Sequence, residues 1–156
     1  MTATTGHVLL VNSFDDREMY SEYFRDAGLL VHAVADPALA LGLLAAISCD
    51  VAITDLVFAP GALSGVAFTR ELRARLDPST SIIVVSGCVR LEDREKARQA
   101  GADLFLIKPA LPSAVLFEVR RALALRKLGR RIEWNWRDLP PSATATPFRR
   151  RRRRAS

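Results

Sequence analysis

The sequence predicts an α/β fold built on a doubly wound parallel sheet of five strands, in the order 2-1-3-4-5. Short apolar runs recur along the chain, and segments with helical spacing of apolar residues separate them. Crossovers between parallel strands are right-handed, so short connections place helices on both faces of the sheet. For five such units this order is the common solution. The predicted strands cover residues 8–11, 29–34, 51–54, 82–85 and 104–107.

Capping signals define the helices between these strands. Asp36 followed by Pro37 is typical of a helix cap and a first helical position. Gly28 and Gly101 each stand where a helix is expected to end, since glycine favours that position. Ser113 is predicted to cap the last helix. The predicted helices cover residues 15–27, 37–47, about 65–76, 91–100 and about 113–128.

Size and charge predict one domain followed by a basic tail. The chain has 156 residues, and its net charge of +6 is unevenly distributed. Residues 1–112 carry 10 Lys/Arg and 14 Asp/Glu, whereas residues 113–156 carry 13 Lys/Arg and 3 Asp/Glu. We expect the domain to cover residues 1–128 and a basic, disordered tail to cover residues 129–156, mobile from about residue 138. Such asymmetry is typical of an interaction tail on a neutral-to-acidic domain.

Several classes of protein are disfavoured. No apolar run approaches the ~20 residues that span a bilayer, and the amino terminus lacks the pattern of a signal peptide. We therefore expect a cytoplasmic protein without a transmembrane segment. Cys49 and Cys88 are too few and too far apart in sequence for a disulfide framework or a zinc site. His7 and His32 are expected to be incidental, with His32 on a strand face.

Polar residues follow four of the predicted strands. Asn12 and Ser13 follow the first strand, Asp55 the third, Ser86 the fourth and Lys108 the fifth. The carboxyl ends of parallel strands meet at one edge of the sheet, where ligands bind in open α/β folds. A carboxylate, a hydroxyl and an ammonium are thus predicted to converge. These groups can accept and hold a phosphoryl group.

With these motifs in order, residues 7–128 resemble the receiver domain of two-component response regulators, which has a flavodoxin-like fold. The resemblance implies that Asp55 is phosphorylated by a histidine kinase or phosphotransfer protein. It implies that Ser86 binds a phosphoryl oxygen and that Lys108 pairs with the phosphoryl group. It also implies that Phe105 changes rotamer on activation. From the residues alone, Ser86 could instead cap a turn and Phe105 could be ordinary core.

The metal side of the site departs from the resemblance. The resemblance implies Mg²⁺ as cofactor, bound by an acidic pair directly after the first strand, but here those positions read Asn12-Ser13. Asp15 and Asp16 follow closely, so one of them turns into the pocket or Mg²⁺ binds weakly. The alternative for these two aspartates is a simple charge at a helix N-terminus. The remaining predicted metal ligands are Asp55, the carbonyl of Val57 and a neutral oxygen of Ser13.

Three functions follow from these observations. The first is a single-domain response regulator that relays a signal to a downstream protein partner through the face formed by the last helix and the strand of Phe105. Its own chemistry would be at most self-phosphorylation from a phosphodonor and autodephosphorylation at Asp55. The second is a pseudo-receiver that docks partners without phosphorylation.

The third function depends on six consecutive arginines, Arg149 to Arg154. They could hold nucleic acid non-specifically by attraction to phosphates, contact a partner's acidic patch or an anionic membrane, or serve solubility alone. Trp134 and Trp136 could stack on bases or fold back on the last helix. Sequence-specific DNA recognition is not expected, because no DNA-reading fold fits after residue 129.

Overall fold

The computed structural model describes residues 6–12, 16–88 and 90–133. Within them, strands and helices alternate from the amino terminus to the carboxyl terminus. The strands are β1 (His7–Val11), β2 (Leu30–Val34), β3 (Val51–Thr54), β4 (Ser81–Ser86) and β5 (Leu104–Ile107). The helices are α1 (Asp16–Asp26), α2 (Pro37–Leu43), α3 (Gly65–Arg75), α4 (Leu91–Ala100) and α5 (Pro112–Lys127).

The five strands form one sheet in the order β2-β1-β3-β4-β5, which confirms the predicted order. All pairs are parallel. In the register of the sheet, Val11 lies opposite both Val34 and Thr54, and Ser86 lies opposite Ile107. The last residues of all five strands therefore reach the same edge, and the residues that follow β1 and β3 are neighbours.

Successive residues of each strand pack on opposite faces of the sheet, as the strand pleat requires. Val8 and Leu10 join a core cluster with residues of α1 and α5, whereas Leu9 and Val11 join a cluster with residues of α2, α3 and α4. Because helices cover both faces, both sets of side chains are buried. This explains why the strands are continuous apolar runs rather than alternating ones.

Three of the predicted helix ends are confirmed. The Asp36 carboxylate accepts a hydrogen bond of 2.8 Å from the Ala38 amide at the start of α2. Gly28 and Gly101 adopt φ values of +88° and +112° after α1 and α4. Such left-handed conformations are disfavoured for residues with a Cβ, so glycine suits both positions.

Two other helix predictions were wrong. We expected α2 to continue to Ile47, but it ends at Leu43 because the amides of Ala46 and Ile47 both donate to the Leu43 carbonyl and close a turn. Ser113 does not cap α5. Leu111 occupies the cap position without a side-chain hydrogen bond, and Pro112 opens the first turn, for which its fixed φ is suited.

The segment after α5 packs under the amino ends of β4 and β5. Ile132 is buried at 2 % exposure, and its amide donates to the Ser81 hydroxyl at 2.9 Å. Arg131 pairs with the buried Asp103 at 3.0 Å. Core packing thus continues beyond residue 128, the last residue of the predicted domain.

Some predictions lie outside the described residues. They concern Ser13, Asp15, the two tryptophans and the arginine run of the tail, together with the expected mobility from residue 138. Across the helices that the structure does describe, none has an apolar stretch long enough to cross a membrane. Both cysteines are free thiols in the structure.

Candidate functional site

Asp55 lies directly after β3 and is almost completely buried, at 2 % exposure. Its Oδ1 accepts hydrogen bonds from the amides of Leu56 and Val57, at 2.6 and 3.2 Å. Its Oδ2 lies 2.7 Å from the Lys108 ammonium. The first turn of the following loop therefore fixes the orientation of the carboxylate, with one oxygen held by the main chain and the other facing the lysine.

Lys108 is held at both ends. Its amide donates to the Ser86 carbonyl at 2.9 Å, which extends the pairing of β5 with β4. Its ammonium contacts Asp55 Oδ2 and also Asp16 Oδ2, the latter at 3.4 Å. The sequence predicted that Lys108 and Asp55 converge, and the structure brings them into contact. Asp16, in the first turn of α1, joins them at the same ammonium.

Ser86 ends β4 and is fully buried. Its hydroxyl oxygen accepts a hydrogen bond of 3.3 Å from the Cys88 amide. This is the turn contact that one of the two interpretations of Ser86 predicted. The register of β4 and β5 nonetheless places Ser86 beside the strand that leads to Lys108. Its binding of a phosphoryl oxygen stays a prediction.

Phe105 lies in β5 with its ring buried, at 1 % exposure. The Arg94 guanidinium lies over this ring, 5.9 Å from the centroid, within the range of a cation–π contact. Arg94 is itself only 5 % exposed. The sequence predicted α4 as a charged helix. The spacing of its charged residues did not indicate that the Arg94 guanidinium packs over Phe105. The rotamer change of Phe105 stays a prediction.

Asn12 is buried at the end of β1, where the resemblance would place an acidic residue. Its main-chain carbonyl accepts a hydrogen bond of 3.2 Å from the Arg17 guanidinium. Arg17 therefore brings a positive charge to this end of the site, a feature that the sequence analysis did not identify. The adjacent Ser13 and Asp15 lie outside the described residues.

The loop after Asp55 closes tightly at its base. The Gly65 amide donates to the Leu56 carbonyl at 3.2 Å. A Cβ on Gly65 would lie 2.2 Å from the Leu56 Cα, so only glycine fits this approach. Val57 is 47 % exposed, next to the amide contacts of Asp55. The rest of the loop thus lies beyond a closed base, with Val57 kept beside Asp55.

The oxygen donors of this site fit a hard cation such as Mg²⁺, which prefers carboxylates and few protein ligands. Asp55 and Asp16 both contact one ammonium, so their carboxylates already lie around a shared positive charge. Among the described residues no group of three or more His, Cys, Asp or Glu side chains could hold a metal. The donor set that the structure describes is therefore two carboxylates with neutral oxygens.

Tyr20 is a further residue that the sequence analysis did not assign to the site. Its hydroxyl donates a hydrogen bond of 2.6 Å to the Ala110 carbonyl, two residues after Lys108. Burial raises the pKa of Tyr20, and the negative charges of Asp16 and Asp55 raise it further. The signal in the sequence is its position four residues after Asp16, one helical turn along the same face.

Comparison with known proteins identifies a family match and a relative. Residues 8–120 match the family model of the response regulator receiver domain. The chain is 28 % identical over 148 residues to Protein PetR of Rhodobacter capsulatus, covering 94 % of this chain and 55 % of PetR. The chain thus spans about half the length of this relative.

Two solved structures share the fold. A CheY-like receiver domain protein from Methanospirillum hungatei has a TM-score of 0.74 at 20 % identity, covering 81 % of this chain and 99 % of that one. The chemotaxis response regulator CheY4 of Vibrio cholerae has a TM-score of 0.69 at 29 % identity, covering 77 % and 100 %. With a family model that matches most of its length, this chain belongs to the response regulator receiver domain family.

Proposed function

We propose that this chain is a phosphoacceptor receiver in which Asp55 takes a phosphoryl group from a histidine kinase or phosphotransfer protein and passes the signal to a downstream protein partner. The observation that carries the proposal is the position of the Lys108 ammonium. It lies 2.7 Å from Asp55 and 3.4 Å from Asp16. Receiver domains interact with histidine kinases or phosphotransfer proteins, and generally bind Mg²⁺.

The chemistry follows from the two oxygens of Asp55. Oδ1 is held by two main-chain amides, so Oδ2 is the nucleophile. Oδ2 forms a bond to phosphorus while the bond between phosphorus and the donor's histidine nitrogen breaks. The leaving imidazole keeps the bonding electron pair and takes up a proton. The product is an acyl phosphate on Asp55.

The obstacle to this step is the approach of a carboxylate to an anionic phosphoryl group, so cations must take up the charge that spreads over the phosphoryl oxygens. Lys108 supplies one positive charge, as a point charge suited to phosphate. Mg²⁺, held by Asp55 and Asp16 with the main-chain carbonyl of Val57, would supply the second. In the product, the Ser86 hydroxyl donates to one phosphoryl oxygen.

Incubation with acetyl phosphate and Mg²⁺, followed by intact-mass spectrometry, tests the proposal. The wild-type protein should gain the mass of one phosphoryl group, and Asp55→Asn should gain none. Asp26→Asn is the matched control, because Asp26 is an exposed carboxylate in the last turn of α1, distant in sequence from the site. Absence of the added mass in the wild-type protein at every metal concentration would contradict the proposal.

The role of Asp16 has its own test. If Asp16 replaces the missing acidic pair, Asp16→Asn should raise the Mg²⁺ concentration needed for half-maximal phosphoryl uptake by about 10-fold or more, as expected when a ligand is lost. Asp26→Asn again serves as the control. An unchanged Mg²⁺ requirement in Asp16→Asn would show that its carboxylate acts only as a helix N-terminal charge and a partner of Lys108.

Two observations favour the second candidate, a pseudo-receiver that docks partners without phosphorylation. Asn12 stands where an acidic residue is expected, so its side chain brings no negative charge, and its main-chain carbonyl accepts a hydrogen bond from the Arg17 guanidinium. The Lys108 ammonium also already contacts both carboxylates, Asp55 and Asp16. This candidate predicts no Mg²⁺ binding by calorimetry, whereas micromolar-to-millimolar binding that Asp55→Asn abolishes would reject it.

The arginine run, Arg149 to Arg154, supports an additional proposal of non-specific nucleic-acid binding. Six adjacent guanidinium groups would give an affinity for DNA that falls steeply with salt. Deletion of residues 148–156 should abolish that affinity, and an unchanged affinity after deletion would refute the proposal.

A further inference from the structure

Tyr20 connects α1 to the loop that carries Lys108. Its ring is buried at 3 % exposure and stacks near Phe24, with 6.0 Å between the ring centroids. Its hydroxyl reaches out of this cluster and donates a hydrogen bond of 2.6 Å to the Ala110 carbonyl. The ring packing and the hydroxyl contact are therefore separate features, which a single substitution can distinguish.

The contact lies on the short route between β5 and α5. Lys108 is fixed on its upstream side, because its amide donates to the Ser86 carbonyl at 2.9 Å. Two residues downstream, Ala110 is held by Tyr20. The main chain that bears the lysine is thus attached to β4 on one side and to α1 on the other.

The same helix also contacts the ammonium itself. Asp16, one turn before Tyr20, lies 3.4 Å from the Lys108 nitrogen. α1 therefore holds the Lys108 segment at two places, once at the tip of the side chain and once at the main chain. A lysine side chain is flexible and acts as a point charge, so the position of its backbone helps to decide where the ammonium rests.

We infer that the Tyr20 hydroxyl is a positioning group for Lys108, which holds the Lys108–Ala110 segment against α1 so that the ammonium meets the phosphoryl group on Asp55. The inference rests on the proposed function. Burial and the charges of Asp16 and Asp55 raise the pKa of Tyr20, so its hydroxyl keeps its proton and remains a donor. A phenylalanine would preserve the ring packing and lose the donor.

The test compares Tyr20→Phe with Tyr23→Phe. Tyr23 lies on the same helix and is 40 % exposed, so its variant is a control for loss of a tyrosine hydroxyl on α1. The rate of phosphoryl uptake from acetyl phosphate, followed by intact mass, should fall by about 10-fold in Tyr20→Phe, because misplacement of a group that acts on the reacting atoms slows the reaction. Tyr23→Phe should react at the wild-type rate.

A double-mutant cycle with Lys108→Gln separates positioning from a general loss of structure. If the hydroxyl acts through Lys108, Tyr20→Phe should cause no further loss of rate once the ammonium is gone, measured over long incubations at high donor concentration. A purely structural effect would instead persist in the Lys108→Gln background. Urea denaturation of all four proteins should show the same small stability change from Tyr20→Phe in both backgrounds.

Three results would overturn the inference. The first is a wild-type rate for Tyr20→Phe. The second is an effect of equal size with and without the Lys108 ammonium. The third is a wild-type protein that takes up no phosphoryl group, in which case the proposed function fails and this inference fails with it. The first two leave the proposed function intact, so the two failures are distinguishable.

Discussion

Two buried aspartates lie at opposite edges of the sheet, and their partners differ. Asp55, at the carboxyl edge, has one oxygen bonded to main-chain amides and the other facing the Lys108 ammonium. Asp103, at the amino edge, has both oxygens paired with guanidinium groups, from Arg73 and Arg131 at 3.0 Å each. The Ile82 amide donates a further hydrogen bond to Asp103, at 2.8 Å.

Under the proposed function, this difference distinguishes a structural carboxylate, Asp103, from a reactive one, Asp55. A guanidinium is a planar, rigid donor that fixes geometry, whereas an ammonium on a flexible stem is a point charge that can follow a new partner. Asp103 joins α3, β4 and the segment after α5 through its arginines and the Ile82 amide. Asp55 Oδ2 contacts a lysine that also contacts Asp16. A phosphoryl group can therefore enter without breaking a rigid contact between a carboxylate and a guanidinium.

The largest effect is expected when the same substitution is made at both aspartates. Asp103→Asn leaves two guanidinium groups without their buried counter-ion and should lower the free energy of unfolding by about 3–5 kcal/mol. Asp55→Asn should lower it by about 1 kcal/mol or less, because the side-chain oxygen still accepts the two amides and Lys108 keeps Asp16. Urea denaturation measures both. Equal losses in the free energy of unfolding at the two sites would contradict the contrast between Asp103 and Asp55.

The next effect concerns the charge of Lys108. Lys108→Gln removes the cation that faces Asp55 and should slow phosphoryl uptake by ~100-fold, the usual cost of losing one electrostatic donor to a transition state. Discontinuous sampling by intact mass gives the rate. Lys127→Gln, at the exposed end of α5, is the control. A rate within a factor of about two of wild type would mean that Lys108 has no part in the transfer.

A smaller effect tests whether the amino edge is structural only. Ile132→Val removes one buried methyl group and should lower the free energy of unfolding by about 1 kcal/mol. Phosphoryl uptake should not change, because Ile132 packs near Ser81 at the opposite edge from Asp55. If phosphoryl uptake falls in proportion to stability, the two edges are coupled and the amino edge is not structural only.

The smallest effect depends on pH. His32 in β2 has a lowered pKa, mainly through burial and then through the nearby positive charges of His7 and Arg25. The unfolded chain therefore binds a proton more readily than the folded one, so stability falls as the pH drops below about 6.5, the ordinary histidine pKa. His32→Gln should make the fall in Tm shallower in this range. Curves that stay parallel to wild type down to about pH 5 would contradict this.

The sequence was sufficient to predict the sheet because the inner strands β1, β3 and β4 are buried on both faces. Continuous apolar runs such as residues 82–85 are unambiguous when glycine or polar residues bound them, and parallel topology then leaves few strand orders. The convergence of Asp55 and Lys108 followed from that topology. Phosphorylation at Asp55 and the role of Phe105 stay predictions.

The contacts of Arg94, Ile132 and Tyr20 could not be predicted, because they are tertiary contacts that the periodicity of the sequence does not encode. Arg94 belongs to a helix rich in charge, and nothing in its spacing marks it as the residue that is buried over Phe105. Ile132 stands between Arg131 and Glu133, so no apolar run or period indicates its burial. The contact of Tyr20 with Ala110 joins residues 90 positions apart in the sequence.

The central claim is that the carboxylate beside Lys108 is the phosphoacceptor. Its most direct test is to phosphorylate the protein with acetyl phosphate, reduce the acyl phosphate with borohydride to homoserine, and locate that product by peptide mass spectrometry. We predict the homoserine at position 55 and at no other aspartate, with none formed without phosphodonor. Homoserine at Asp15, Asp16 or another carboxylate, with Asp55 unmodified, would contradict the account.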